Sequence, residues 1–336
     1  MNKFKLDLAI VIMLVSFLTS CNLTKKSKIL SEDIVTAMEP IKFSYQEITG
    51  IGKDALYNRR DNSDIIKIGD TYYIWYSRMD SPITSGYWAT IWYATSTDKG
   101  HTWKEQGMAL GLGAEGEFDS HSVFTPNILV FKGKYYLYYT GVKPTPGSVS
   151  KKFEGNSTTD ITAIGLAVAD SPHGPFVRVV SNPILEISPN TADFDSFRID
   201  DASMLVRGNK IGLYYKGRQW EKSPRETKMG VAYANHPAGP FEKEDGYLLD
   251  KSHEVLIWNT GGGILSLASI NSTLNFSTDG QYFSVLQDSL KHIPKASGLY
   301  RPNLEDGNPE TEIPGWGIAM KSGKGFTYLL RFEITM

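Results

Sequence analysis

One pattern returns along this chain every 50 to 75 residues or so, roughly the period of a repeat architecture, and restricts the fold more than any other feature. It is a short apolar strand, a glycine-containing turn, and an aromatic strand rich in tyrosine. The copies are Ile65-Ile66-Lys67-Ile68-Gly69-Asp70 into Tyr72 to Tyr76, Ile128 to Lys134 into Tyr135 to Tyr139, and Met204 to Asn209 into Gly212 to Tyr215. Each reads as a β-hairpin. A second hairpin follows each one: Ile91 to Ala94 before Ser96 to Trp103, Gly165 to Ala169 before Asp170 to Phe176, and Gly230 to Ala234 before Asn235 to Phe241, with a weaker copy from Leu265 to Phe283. Two hairpins make a four-stranded sheet that cannot bury both faces alone, so successive sheets must pack around an axis. Four such units cover residues 62 to about 285, and Gly315 to Ile334 supplies strands for one more. The expected fold class is all-β, a five-bladed β-propeller preceded by a short N-terminal helical or extended segment. The Ser96-x-Asp98-x-Gly100-x-Thr102-Trp103 spacing belongs to a hairpin turn on the outer rim, and its role is structural.

The composition agrees: 18 Tyr, 15 Phe and 7 Trp, with 31 Gly and 16 Pro, suit many short strands joined by tight turns. Thirty-five Lys and Arg against 37 Asp and Glu give a net charge of -2, without the basic footprint of a nucleic-acid binder. No P-loop, dinucleotide fingerprint or zinc motif is present, and no cofactor is expected.

The N-terminus is a separate element. Two lysines within Met1 to Lys5 precede an apolar run from Leu8 to Leu18, the pattern of a secretory signal. Leu18-Thr19-Ser20-Cys21 follows and resembles a bacterial lipoprotein box, in which the cysteine is lipidated after cleavage. Cys21 is the sole cysteine, so no intramolecular disulfide can form. The expected organisation is a signal peptide over 1–20, a lipid-anchored tether and short helix over 21–48, and the propeller over 49–336. Within the tether, Ser31 is read as the N-cap of a helix over 31–48. The chain is placed on the bacterial cell envelope, periplasmic or outer-membrane associated, touching membrane only through its anchor.

A propeller's ligand site lies at the mouth of the channel, where the innermost strands begin. Three places there carry chemistry: Asp61, before the first strand of the first blade; Asp200-Asp201, before the third-blade strand; and His253-Glu254, before Val255 in the fourth. Acidic residues at strand starts are commonly turn formers. Three at equivalent positions instead suit glycoside hydrolysis, where an ionised carboxylate takes a proton from water and a protonated group gives one to the leaving oxygen.

The segments Trp88 to Ser96, Val123 to Leu129, Phe194 to Ala202, His253 to Trp258 and Gly298 to Pro302 together resemble, in order, glycoside hydrolase family 117, a relative of the family 43 five-bladed propeller glycosidases. The resemblance implies an exo-acting, inverting enzyme that releases 3,6-anhydro-L-galactose from the non-reducing end of agar-derived neoagaro-oligosaccharides. It implies Asp61 as general base, Asp201 rather than Asp200 as the residue that orients and tunes the acid, and His253 as proton donor with Glu254 in support; the residues themselves leave the donor open between His253 and Glu254. Trp88, His121, Thr125, Arg198, Trp258 and Arg301 are candidate substrate contacts. His121 and His292 are the remaining candidates for a structural divalent cation in the channel, and no metal site is expected from spacing. Asn62 and Asn259 stand where the family usually has proline. Ala55 and Arg59 match only part of the family's Ser-x-Ala-x-x-Arg dimerisation signature, which leaves the oligomer open, a homodimer included. Two other readings stand beside this one: a propeller α-L-arabinofuranosidase or β-xylosidase, and a non-catalytic glycan-binding lipoprotein.

Overall fold

The computed structural model describes residues 40–79, 88–144, 160–260, 262–302, 315–323 and 326–335. The expected signal peptide over 1–20, Cys21 and the part of the expected tether up to residue 39 lie outside the described residues. Strand β1 (Lys42–Glu47) comes first. Blade one holds β2 (Asn58–Asn62), β3 (Ile66–Ile68), β4 (Thr71–Met79), β5 (Thr90–Ser96) and β6 (Lys104–Leu110); blade two holds β7 (Ser122–Phe131), β8 (Lys134–Pro144), β9 (Asp160–Ala169) and β10 (Val177–Arg178). Blade three holds β11 (Arg198–Arg207), β12 (Lys210–Arg218), β13 (Lys228–Ala234), β14 (Glu242–Lys243) and β15 (Leu249–Asp250). Blade four holds β16 (Val255–Thr260), β17 (Gly263–Ala268), β18 (Thr273–Ser277) and β19 (Ser284–Gln287). Blade five is β20 (Lys295–Leu299), β21 (Trp316–Ser322), β22 (Thr327–Thr335) and, on its outer edge, β1. Every pairing within a blade is antiparallel, and the five-bladed propeller read from the repeats is the fold of the chain.

The helix expected over 31–48 is corrected where it is described. Residues 42–47 are a strand paired with β22 from Lys42↔Thr335 to Glu47↔Leu330, so the propeller begins ahead of residue 49. That strand exposes nearly every side chain and is held by backbone bonds to the edge it covers.

The core is five seams between neighbouring blades. Trp75, Leu137 and Tyr139 join blades one and two; Tyr138, Met204 and Tyr215 join two and three; Tyr214, Met229 and Ile257 join three and four. Trp258 and Phe332 join four and five, and Tyr72, Trp316 and Leu329 close the ring between five and one. The aromatic second strands of the sequence repeat are therefore buried on both faces, which explains why they do not alternate with polar residues. Ser96 and Ser277 each cap a rim turn built on Asp98 and Asp279, as expected for a structural turn.

Candidate active site

The innermost strands β2, β7, β11 and β20 each carry one extra residue relative to their partner, a β-bulge near the strand start. At these bulges Asp61, Thr125, Asp201 and Ala296 have φ of 47°, 46°, 53° and 43°, a left-handed conformation that non-glycine residues avoid and that is most strained for the β-branched Thr125. Four blades thus hold the same unfavourable backbone at the same place. Strain repeated in this way marks a region where the chain is shaped for function.

The bulges turn these residues toward one opening. Asp61, Asn62, Thr125, Pro126, Asn127, Asp201, Ala202, Glu254, Val255, Ala296 and Ser297 line a single pocket, two or three residues from every blade. Of the acidic residues expected at the mouth, Asp61, Asp201 and Glu254 are brought together in it. Asp61 sits inside β2 rather than before it, 6% exposed, and accepts a hydrogen bond from Arg60 Nε at 2.5 Å. Thr125 is fixed by its N–H to Ser77 Oγ at 2.9 Å and by its hydroxyl to Thr140 Oγ1.

Asp200 and Asp201 share a lysine that the sequence reading passed over. Lys216 Nζ, on β12, lies 2.6 Å from Asp201 Oδ2 and 3.1 Å from Asp200 Oδ1, and Arg198 Nε adds a second cation to Asp200 at 3.1 Å. Burial pushes the Asp201 carboxyl up to about 7, against the pull of Lys216 and with repulsion from Asp200 and Asp61 added. Asp200 is as deeply buried, but Lys216 and Arg198 outweigh the burial and hold it below the usual carboxylate range. Two adjacent carboxyls therefore take opposite protonation preferences, one set by burial and the other by its two cations.

His253 faces a smaller cleft next door, with Arg198, Asp200, Lys216, Arg218, Pro224 and Thr227. Its Nδ1 lies 3.1 Å from the Pro224 carbonyl and 3.2 Å from Thr227 Oγ1. The carbonyl can only accept, so Nδ1 carries the proton of the neutral ring. The Lys216 ammonium and then burial press its pKa down to about 3, so the imidazole is uncharged at neutral pH.

Two expected substrate contacts are corrected. Trp258 is 1% exposed inside the seam between blades four and five, where no sugar reaches it. Arg301 is buried and paired with Asp64 at 2.9 Å, and donates to the carbonyls of Met204 and Ile257. Asp64 in turn accepts from Asn127 Nδ2 and from the N–H of Leu299. The pair thereby touches the innermost strand of all five blades, which places it on the propeller axis, beneath the pocket, as its floor. Arg198 is likewise buried, against Asp200. Trp88 and His121, half-buried with ring centroids 3.9 Å apart, stand on the mouth side, at the starts of β5 and β7.

The axis does not suit a divalent cation, because the Arg301 guanidinium already neutralises Asp64 there. His121 packs against Trp88 with the rings tilted by 54°, whereas the carbonyl of His292 receives the Tyr45 hydroxyl from the outer strand of blade five, so the two are not joined in one site. Among the described residues no three His, Cys, Asp or Glu are grouped to hold a metal.

Arg60, Lys216, Asp64 and the Ala296-Ser297 bulge were not singled out from the sequence. A signal existed for the bulges: a residue followed by one or two small or polar ones and then an apolar run, as in Asp61-Asn62-Ser63, Asp201-Ala202-Ser203 and Ala296-Ser297-Gly298.

The family model described as glycosyl hydrolases family 43 matches residues 55–211, the stretch that carries the first three bulges. No curated protein matches the chain. Among solved structures, it is similar to Zg3597, a family 117 glycoside hydrolase produced by the marine bacterium Zobellia galactanivorans, with a TM-score of 0.76 and 26% identity over 88% of this chain and 90% of that one. It shares its fold with an endo-arabinase from Bacteroides thetaiotaomicron (TM-score 0.55, 14% identity, 85% and 97% covered). The same holds for fructan 1-exohydrolase IIa from Cichorium intybus (TM-score 0.58, 13% identity), of which 86% of this chain spans 57%. Blade order, pocket and likeness agree, and the chain is a five-bladed propeller glycoside hydrolase related to families 117 and 43.

Proposed function

We propose that the protein is an exo-acting, inverting glycosidase that releases 3,6-anhydro-L-galactose from the non-reducing end of neoagaro-oligosaccharides. The observation that carries the reading is the convergence of Asp61, Asp201 and Glu254, from three different blades, on one small pocket with a sealed floor. The Arg301–Asp64 pair beneath the pocket closes the axis, which favours attack at a chain end over passage of a polymer. Asp61, oriented by Arg60, is the general base that draws a proton from the attacking water. Glu254, on the opposite side of the ring of blades, is the proton donor, because His253 faces the neighbouring cleft as a neutral ring whose Nδ1–H is engaged. Asp201 orients and tunes the donor. Trp88, His121 and Thr125 meet the substrate at the mouth. The protein works on the cell envelope, anchored through a lipid on Cys21.

The test is incubation of the mature protein with neoagarobiose, para-nitrophenyl arabinofuranoside and para-nitrophenyl xyloside, with product identification. Release of anhydrogalactose, lost by about 100-fold or more in Asp61→Asn and Glu254→Gln, is the expected result. Cleavage of an aryl glycoside alone moves the specificity to an arabinosidase or xylosidase, and no cleavage at all overturns the enzymatic reading in favour of a glycan-binding protein.

A further inference from the structure

On the second strand of each of the four bulged blades, one residue lies across from the start of the innermost-strand bulge. In blade one it is Ser77, opposite Arg60; in blade two Thr140, opposite Phe124; in blade five Met320, opposite Lys295. Ser77 and Thr140 act locally, both bonding Thr125. In blade three the position is Lys216, opposite Asp200, a residue only 8% exposed that joins a buried cluster of Arg198, Asp200 and Asp201. A lysine is a costly replacement for a small residue at such a place, since burying an ammonium needs compensating anions. Here it receives two, and they lie on the shared wall of the pocket and the His253 cleft.

We propose that Lys216 is a positioning residue of the glycosidase site, bridging Asp200 to Asp201 so that the Asp201 carboxyl is held in the pocket wall facing Glu254. The proposal rests on the reading of that pocket as the catalytic site. Arg198 anchors Asp200 from its other side, so the bridge has a fixed foot and Lys216 transmits it to the residue that meets substrate. Lysine supplies this as a point charge that two carboxylates can share, whereas arginine would impose a fork geometry. The same ammonium acts on His253, which is surrounded by Lys216, Asp200, Asp61, Arg198 and Arg218. Asp201 for its part is faced by Lys216, Asp200, Asp61 and Glu254. One side chain therefore tunes both groups, in ways that can be read separately.

The experiment compares wild type, Lys216→Met, Lys216→Gln and Lys216→Arg, with folding checked by near-ultraviolet circular dichroism. The substrate is neoagarobiose, or whichever aryl glycoside the wild type cleaves. The expected result for the two neutral variants is a fall in kcat of about tenfold or more with KM changed by less than about threefold, because the contact matters to the reacting geometry and not to binding. The pH–rate limb governed by Asp201 moves to higher pH, and the His253 signal in histidine NMR titration moves up from about 3 toward the ordinary range. Lys216→Arg recovers part of kcat. A kcat that stays at the wild-type value, or one that falls while neither the pH limb nor the His253 titration moves, overturns the proposal; the second outcome is what a merely structural lysine would give. Activity retained in Asp61→Asn would overturn the site reading itself, a result distinct from any of these.

Discussion

Blades two and three are built from the same parts. Phe118-Asp119-Ser120 and Phe194-Asp195-Ser196 precede their innermost strands, and Phe118 stacks on Tyr139 at 6.0 Å as Phe194 does on Tyr215 at 5.9 Å. Tyr139 donates to Asp119 at 2.8 Å and Tyr215 to Asp195 at 2.9 Å, and each aspartate also holds a cation, Arg178 or Lys243. The blades part company at two facing places: the bulge, Thr125-Pro126 against Asp201-Ala202, and the strand across from it, Thr140 against Lys216. Scaffold and chemistry are thus separable in this fold. The aspartates beneath the tyrosines are architecture, and the one displaced by a bulge carries the site.

The sharpest way to test that separation is to change the bulge in each blade. Asp201→Asn is expected to lower kcat by about 100-fold or more, as loss of a group coupled to proton transfer does, whereas Thr125→Ser, which keeps the bond to Thr140, should cost less than about tenfold; steady-state kinetics on the cleaved glycoside decides between them. Equal losses would mean that the ring of bulges acts as one shape and that the carboxylate has no special part.

The next effect concerns the shared scaffold. A Cβ on Gly141 would lie 2.4 Å from the Phe118 ring, and one on Gly217 would lie 2.4 Å from the Phe194 ring. Gly141→Ala and Gly217→Ala should therefore each destabilise by about 1–3 kcal/mol in urea denaturation, by similar amounts. A clear inequality would show that the two phenylalanine seats are not equivalent.

The smallest effect is on the pH dependence of stability, and it is confined to blade three and its neighbour. His253 is held down at about 3, below its unfolded value of 6.5, so the stability it contributes is present above pH 6.5 and is lost as pH falls toward 3. Asp201 is raised from 3.8 to about 7, so its contribution is complete below about pH 4 and is lost as pH rises through 7. Denaturation midpoints measured from pH 4 to pH 8 should lose their acid-side slope in His253→Gln and their alkaline-side slope in Asp201→Asn. Variants at Thr125 should leave both slopes in place.

What the sequence disclosed follows the distance over which each feature is determined. Blade count and hairpins are local, written in apolar runs and turn residues within a few positions of one another, and they were legible. The three carboxylates of the pocket were legible because the repeat fixed where innermost strands begin. Strand β1 was not, since Lys42-Phe43-Ser44-Tyr45-Gln46-Glu47 has no buried face and becomes a strand only by meeting β22. Trp258 looked like a sugar platform because an indole has both an apolar face and a polar edge; the seam between blades four and five claims it first. Arg301 serves Asp64, 237 positions earlier by subtraction of the residue numbers, and Lys216 differs from any other strand lysine only through the register that sets it opposite Asp200.

The outer strand of blade five also determines which way the molecule is presented. β20 starts at the pocket mouth, β22 runs in the same direction, and β1 runs against it, so Lys42 lies at the end of the propeller remote from the mouth. The first described strand therefore starts at the back of the disc. A surface held at that end would face the back of the disc, with the opening turned outward to the surrounding medium.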